Sequence, residues 1–396
     1  DPECVADGSG MNLMDIHSVP PAWDPECVAA ASRLIAGDEA ASPPLLARFL
    51  SPAPVDSFSV LPSRIAPYFA ARYGFSPACK IVAFSGDNPC SIAGMGSLRD
   101  GDVLVSLGTS DTAFGIAGEA TPGLVAHVYR SPLAPKQYLP LVCYSNGSLT
   151  RQAIRDGWGA AVAAGAGEES SPNWAEFEAE CAKAPPGNSG VVGFFFKVPE
   201  IVPRGDSSEL PLLFSQDSDT RLDTTTVDRP TLCRAVLESR ALAIRRHCAM
   251  LGLHPARVLA TGGASASKVL LQTLADVLQA PVYTAAEAPN SASRGAAMRA
   301  YHGVECESEF VPFSSLVERA SGILSFLFYF FLASRFEWLL NVRCYGRFPF
   351  SDANEFSLTL ACEPRQETRE TYERVMDRYC ALEDKVFPTG SGASHA

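Results

Sequence analysis

The sequence lacks the patterns that mark several large classes of protein. Its 12 cysteines include no C-x-x-C pair and its six histidines show no metal-ligand spacing, so neither a zinc site nor a disulfide scaffold is predicted. We therefore expect free, mostly buried thiols. Acidic residues outnumber basic ones by 44 to 32, a formal net charge of −12, which argues against a nucleic-acid partner or binding to an anionic membrane surface.

The first residues of the chain lack two further features. They contain no basic stretch followed by an apolar core, as a signal peptide would, and they contain no initiator methionine. We therefore expect a cytoplasmic location and a chain that begins within a longer protein.

A long apolar run is missing too. The most apolar segment, residues 323–333, is about half as long as a helix that crosses a bilayer. A membrane span, a buried or interfacial helix and an insertion foreign to the fold are the three interpretations. Its composition favours the insertion, so we assign residues 322–364 to an anomalous apolar insertion and residues 365–396 to a terminal helix and tail.

What is present is an alternation of short apolar runs with longer amphipathic segments. The pattern predicts strands at 81–84, 103–107, 112–116, 138–144, 258–260 and 281–284. It predicts helices at 23–35, 65–73, 89–95, 148–155, 174–184, 231–251, 266–278, 291–302 and 368–386. This order indicates an α/β fold with parallel strands and with binding sites at their carboxyl ends.

An acidic residue follows the first of these strands. Asp87 and Asn88 lie in a loop after Gly86, and a small-residue helix is predicted to begin near Pro89. A carboxylate held there could accept the proton of a sugar or polyol hydroxyl as its oxygen attacks a phosphoryl group, and Asn88 could bind that hydroxyl. The alternative is that Asp87 or Asn88 only caps the helix.

Two glycine-containing loops follow later strands. Gly108, with Thr109 and Ser110 after it, connects two predicted strands and could offer N–H groups and hydroxyls to phosphate oxygens. No lysine follows, so this is not a Walker A motif, and an ordinary hairpin turn is the alternative. Gly262 and Gly263 stand between a strand and a helix, where a ligand could approach the backbone closely or where the chain simply turns sharply.

Taken together, these loops resemble the carboxyl-terminal half of the FGGY-type carbohydrate kinases, a family with the actin-like ATPase (ribonuclease H-like) fold. The resemblance covers roughly residues 7–321 and the final helix, and it is strongest to eukaryotic members that act on D-xylulose. The stretches that carry it are residues 7–12, 73–75, 86–89, 106–112, 146–149, 260–265, 274–277 and 280–283.

The resemblance implies a role for each site residue. Asp87 would be the catalytic base that deprotonates the sugar hydroxyl, and Asn88 would contact the sugar. The residues that would bind the nucleotide are Gly108, Thr109, Ser110, Trp174, Gly262, Gly263 and Ser267. For Trp174, which would pack near the adenine, a core or interface position is the alternative, and related sequences often carry Asn near Ser267.

The family also implies an amino-terminal lobe of similar size, with a second phosphate-binding loop and much of the sugar pocket. Residues 1–63, weakly patterned and with a Gly-rich turn at 7–12, would be the remnant of that lobe and a linker, poorly ordered in part. Residues 64–321 would form the nucleotide-binding domain.

Three functions follow from the resemblance. The first is ATP-dependent phosphorylation of D-xylulose to D-xylulose 5-phosphate with Mg²⁺, with little activity in this chain alone. The second is a fragment that binds ATP or ADP without catalysis. The third is a kinase of the same plan for another sugar or polyol, such as glycerol, ribulose or gluconate. No residue is predicted as a metal ligand, and the oligomeric state is left open.

Overall fold

The structure, a computed structural model, describes most of the chain. The described residues are 4–36, 44–96, 101–120, 126–157, 173–205, 211–215, 218–285, 291–317 and 358–388.

A mixed sheet forms the centre of the described fold. Its seven strands are β5 (Asp102–Leu107), β6 (Asp111–Gly115), β7 (His127–Arg130), β8 (Tyr138–Tyr144), β12 (Arg257–Thr261), β13 (Val282–Ala285) and β14 (Leu358–Cys362), in the order β14-β13-β12-β5-β6-β8-β7. β12 is parallel to both β5 and β13, and the other pairs are antiparallel. The prediction of parallel strands is therefore correct only for the middle of the sheet. A three-residue connection such as 108–110 joins antiparallel strands, because a parallel pair needs a long crossover.

Smaller strands lie outside this sheet. They are β1 (Met14–Asp15), β2 (Ala22–Trp23), β3 (Val60–Arg64), β4 (Lys80–Val82), β9 (Val192–Phe194), β10 (Leu212–Phe214) and β11 (Arg221–Leu222). β1 pairs with β2, β3 with β4, and β10 with both β9 and β11.

The helices cover both faces of the central sheet. They are α1 (Val5–Gly10), α2 (Pro25–Ala36), α3 (Pro67–Tyr73), α4 (Asp87–Gly94), α5 (Ser148–Arg155), α6 (Trp174–Lys183), α7 (Arg229–Met250), α8 (Lys268–Leu278), α9 (Ser291–Glu305) and α10 (Arg369–Val386). The predicted cap of α3 is confirmed: Gly74 has φ +73°, and its N–H donates to the carbonyl of Ala70 at 3.1 Å.

Successive residues of β5 contribute to different cores. Val103, Val105 and Leu107 join a large apolar cluster with buried side chains of α6, α7, α8 and α10. Leu104 joins a smaller cluster with side chains of α4 and α9. The alternation places helices on both faces, as expected when a strand is buried on both sides.

On the face of the sheet that carries the smaller apolar cluster, α4 and α9 approach each other unusually closely. A Cβ added to Gly295 would lie 1.7 Å from the carbonyl oxygen of Cys90, and one added to Gly94 would lie 1.8 Å from that of Ser291. Only glycine fits at these two positions. The contact therefore fixes α4, and with it the start of that helix at Asp87.

The first 63 residues pack onto this fold where they are described. Residues 7–12, expected as a Gly-rich turn, instead largely belong to helix α1. Its glycines are tolerated because aromatic rings take the place of side chains: a Cβ on Gly10 would lie 2.5 Å from the ring of Tyr129, and one on Gly8 would lie 3.3 Å from the ring of Trp23.

Most of the segment assigned to an insertion, residues 322–357, lies outside the described residues. Its last part belongs to the sheet, because β14 pairs with β13. Just after β14, Arg365 forms an ion pair with the buried carboxylate of Asp276 in α8. Among the helices that the structure describes, none is both long enough and apolar enough to cross a membrane.

Candidate active site

Two of the predicted loops leave neighbouring parallel strands at the same end. Thr261 of β12 lies beside Ser106 of β5, so Gly108 and Gly262 each follow the carboxyl end of a strand. Gly262 has φ +86°, and a Cβ there would lie 2.6 Å from the carbonyl oxygen of Leu107. The structure thus brings these two glycine loops together, and Gly262 cannot be replaced without moving them apart.

The hairpin loop at Gly108 is held from behind. The carbonyls of Gly108 and Thr109 accept hydrogen bonds from the N–H groups of Ser148 (2.8 Å) and Gly147 (3.0 Å) at the start of α5. The side chains of Thr109 and Ser110 are exposed, and neither hydroxyl has a hydrogen-bond partner among the described residues. The loop is therefore rigid but leaves two hydroxyls available to a ligand.

A buried ionic cluster lies directly behind this hairpin. The guanidinium of Arg151 donates to both carboxylate oxygens of Asp111, at 2.7 and 3.1 Å. Arg240 lies 3.5 Å from Asp111, donates to Glu200 at 3.1 Å and stacks 4.0 Å from the ring centroid of Tyr144. Sequence reasoning missed this cluster, because pairing between residues so far apart leaves no local pattern.

Asp87 is the first residue of α4, and its side chain is exposed. The expectation that Asp87 or Asn88 occupies the cap position is wrong: Gly86 does, and no side chain caps this helix. Pro89 stands at the third helical position, and its missing N–H leaves one donor fewer to satisfy there. Among the residues that the structure describes, only the N–H of Asn88 donates to the Asp87 carboxylate, at 2.7 Å, so most of its hydrogen-bonding capacity is unused there.

Electrostatics connect Asp87 with the hairpin end of the sheet. Burial raises the pKa of the Cys143 thiol in β8, and the nearby charges of Glu200, Asp111 and Asp87 raise it further. Cys143 is the direct partner of Thr112, which follows the Gly108 hairpin. Cys143 also packs against the small apolar cluster that contains Ile92 and Ala93 of α4, so the helix that Asp87 begins lies against this part of the sheet.

A second carboxylate, Asp7 of α1, lies next to the Asp87 loop and was not predicted. Its Oδ1 accepts the N–H of Gly86 at 3.0 Å. Burial raises the pKa of Asp7, although the hydrogen bond from Gly86 and the charge of Arg299 oppose the shift. Burial also raises the pKa of Tyr129, and both Asp87 and Asp7 add to that rise. The motif at residues 7–12 was a sequence signal for this region, but it did not indicate a carboxylate at the site.

Trp174 is at the start of α6 and is 44% exposed. This exposure does not fit the alternative of a core residue. The guanidinium of Arg155, the last residue of α5, lies 4.6 Å from the centroid of the Trp174 ring. Since α5 begins at the Gly108 hairpin, it runs from the hairpin to Trp174.

Ser267 has a structural task that was not predicted. Its hydroxyl accepts the N–H of Leu270 at 3.3 Å and so caps α8. Gly263, by contrast, is exposed, and a Cβ there would meet no atom within 4 Å. The open space at Gly263, the backbone at Gly262 and the free hydroxyls at Thr109 and Ser110 fit a phosphate-bearing ligand. No group of three or more His, Cys, Asp or Glu side chains suited to a metal ion occurs in the described part of the chain.

Comparison with known proteins gives the family. Residues 103–304, just over half of the chain, match the model of the C-terminal domain of the FGGY family of carbohydrate kinases. The xylulose kinase of Rattus norvegicus is 39% identical over 318 residues, which are 80% of this chain and 53% of that protein. The chain thus spans about half the length of this relative.

Solved structures agree on the fold. The gluconate kinase of Lactobacillus acidophilus matches with a TM-score of 0.68 at 15% identity, and the match covers 98% of this chain and 65% of that one. The ligand-bound xylulose kinase of the same organism matches with a TM-score of 0.67 at 16% identity, with the same coverage. The predicted fold class, an α/β kinase domain of the actin-like ATPase type, is confirmed. The chain belongs to the FGGY family of carbohydrate kinases.

Proposed function

We propose that the protein of which this chain forms part phosphorylates D-xylulose to D-xylulose 5-phosphate at the expense of ATP. The observation that carries the proposal is the exposed carboxylate of Asp87 at the start of α4, which accepts one hydrogen bond from the described residues. The helix that Asp87 begins packs beside Cys143, the strand partner of Thr112, which follows the Gly108 hairpin. Transfer of a phosphoryl group to a hydroxyl requires a base and a phosphate cradle, and this lobe carries a candidate for each.

In this proposal each of the described site residues has its own role in the reaction. Asp87 accepts the proton of the sugar hydroxyl while the hydroxyl oxygen attacks the γ-phosphorus of ATP. Asn88 orients the sugar. The N–H groups and hydroxyls at Gly108, Thr109 and Ser110 bind phosphate oxygens. A Mg²⁺ ion, held mainly by the phosphates, would neutralise part of their charge.

The nucleotide would extend from the hairpin along α5. The eight residues of α5 span about 12 Å, and the hairpin and Trp174 lie at its two ends. Trp174 at the far end of α5 has an exposed ring against which adenine can pack. Gly262 and Gly263 lie beside the hairpin and let the nucleotide approach the backbone.

The choice of sugar rests on relatives. The rat protein that shares 39% of residues is named xylulose kinase, which supports D-xylulose. A gluconate kinase and a xylulose kinase match the fold almost equally well, so the fold does not select the substrate. Turnover assays with D-xylulose, ribulose, gluconate and glycerol on the intact protein would separate these substrates.

A second candidate for this chain alone is nucleotide binding without turnover. The chain spans 53% of its rat relative, and phosphoryl transfer in a closed site needs two lobes to exclude water and align the reactants. We expect the isolated chain to bind ADP weakly and to have little sugar-dependent turnover. Robust turnover by the purified chain would contradict this second candidate.

Replacing the proposed base tests the main proposal. In the intact protein, Asp87→Ala should lower kcat about 10²–10⁴-fold, because general-base catalysis contributes that much, while ADP binding stays unchanged. A coupled assay measures turnover and calorimetry measures binding. Asp377→Asn, an exposed acidic residue of α10, is the control. Turnover that survives Asp87→Ala would remove Asp87 from this role.

A further inference from the structure

We propose that Asp7 is a positioning residue, which fixes the Gly86 backbone and thereby aims the Asp87 carboxylate. The inference rests on the proposed role of Asp87 as the base. It starts from one hydrogen bond across 79 positions of sequence: the Gly86 N–H donates to Oδ1 of Asp7 at 3.0 Å. Gly86 is the cap residue of α4, and no side chain within the loop caps that helix.

A second set of contacts holds the same segment. Arg299 of α9 is buried, and its Nη2 donates to the carbonyls of Ser57 (2.8 Å) and Ala83 (3.2 Å). Its Nη1 contacts Sγ of Cys90 at 3.6 Å, and that thiol donates to the carbonyl of Ser85 at 3.7 Å. The backbone before Gly86 and the helix after it are therefore anchored, and Asp7 supplies the contact to Gly86 itself.

Asp7 is not required to hold its own helix in place. α1 is attached independently: the Val5 N–H donates to the Val55 carbonyl at 2.8 Å, and the hydroxyl of Ser9 accepts the N–H of Arg130 at 3.0 Å. Cys4 and Ala6 also belong to a small apolar cluster. Among the described residues of α1 and its cap, the carboxylate accepts only the weak thiol donor of Cys4, at 3.8 Å, so the stronger contact of this partly buried group is the one with the Asp87 loop.

The chemistry of the contact predicts which substitutions are tolerated. Asn at position 7 keeps a carbonyl oxygen in the place of Oδ1, so the Gly86 N–H keeps its acceptor, while the charge is lost and an NH2 group replaces Oδ2. Ala removes the acceptor, and Glu keeps the charge but carries it on a side chain one methylene longer. A misplacement of about 1 Å in a catalytic group can cost 10²-fold in rate.

Hydrogen exchange on the chain itself tests the contact without any need for activity. Asp7→Ala should speed amide exchange in residues 84–90 about fivefold, since one hydrogen bond is lost, while exchange in α9 does not change. Asp7→Asn should stay within about twofold of the wild type. Unchanged exchange at 84–90 in Asp7→Ala would overturn the proposal, whether or not the protein is a kinase.

Kinetics of the intact protein test the consequence. Asp7→Ala and Asp7→Glu should each lower kcat about tenfold or more with the KM for ATP unchanged, and Asp7→Asn should keep kcat within about threefold. The opposite order, with Glu active and Asn inactive, would show that the charge acts and would overturn the positioning role. Should Asp7→Ala fail to fold, the Asn and Glu variants still decide between the two outcomes. If the wild type shows no turnover, the proposed function fails while the exchange result stands.

Discussion

Two sets of polar groups at the hairpin end of the sheet are neighbours in sequence, but one set is buried and paired and the other is exposed. Asp111 is fully buried, and its carboxylate is bonded to Arg151 and close to Arg240. Thr109 and Ser110, two positions and one position earlier, are exposed, and their hydroxyls have no partner within the described residues. The chain passes from exposed polar groups to buried, paired ones within one turn.

The difference shows how this site combines rigidity with availability. A buried charge has to be paired, because removing it from water is costly, and such a pair then fixes the backbone that carries it. An exposed hydroxyl is satisfied by water and can exchange that water for a phosphate oxygen. The buried cluster can therefore hold the loop in shape while the exposed groups remain free to bind.

The comparison predicts that the largest loss of stability follows from a substitution in the buried ionic cluster. Arg240→Ala should lower the free energy of unfolding by about 3–5 kcal/mol, because Glu200 and Asp111 would remain buried without this cation. Urea unfolding measures it. Arg374→Ala, at an exposed position in α10, should change stability by less than about 0.5 kcal/mol. Equal effects of the two variants would contradict the comparison.

Glycine positions show the same contrast between closely packed and open surroundings. Gly295→Ala should cost about 3 kcal/mol, because its new Cβ would lie 1.7 Å from the Cys90 carbonyl and neither helix backbone can yield cheaply. Gly263→Ala, which meets no atom within 4 Å, should change the free energy of unfolding by less than about 0.5 kcal/mol. Thermal or urea unfolding of both variants gives the difference, and a stable Gly295→Ala protein would show that α4 and α9 are not locked together.

The smallest effect on stability is expected on the exposed side of the hairpin. Thr109→Ala and Ser110→Ala should each leave the unfolding free energy within about 0.5 kcal/mol of the wild type. Each should weaken ATP binding about fivefold, the value of one hydrogen bond. Calorimetry measures the affinity, and Thr220→Ala, an exposed threonine elsewhere, is the matched control. Unchanged affinity in both hairpin variants would remove these hydroxyls from the proposed nucleotide site.

Elements with a strong local pattern were predicted well. The strand Tyr138–Tyr144 has the predicted bounds, and the antiparallel pairing of β5 with β6 follows from apolar runs around Gly108. Short or edge elements were not predicted, among them β7 and β14, because few residues of each are buried. Helix α1 was missed because its two glycines indicate a turn until the rings of Tyr129 and Trp23 are in place.

The sequence by itself determined the strands, through runs of apolar residues, and the candidate loops, through glycines and the acidic residue that follow them. Both are local properties of the chain, so they can be recognised without coordinates. Only the tertiary structure decided that Asp7 contacts Gly86 and that Gly262 lies against Leu107. It also decided that Arg151 and Arg240 each form an ion pair with Asp111 behind the hairpin. These contacts depend on burial and on partners distant in sequence, which no local pattern encodes.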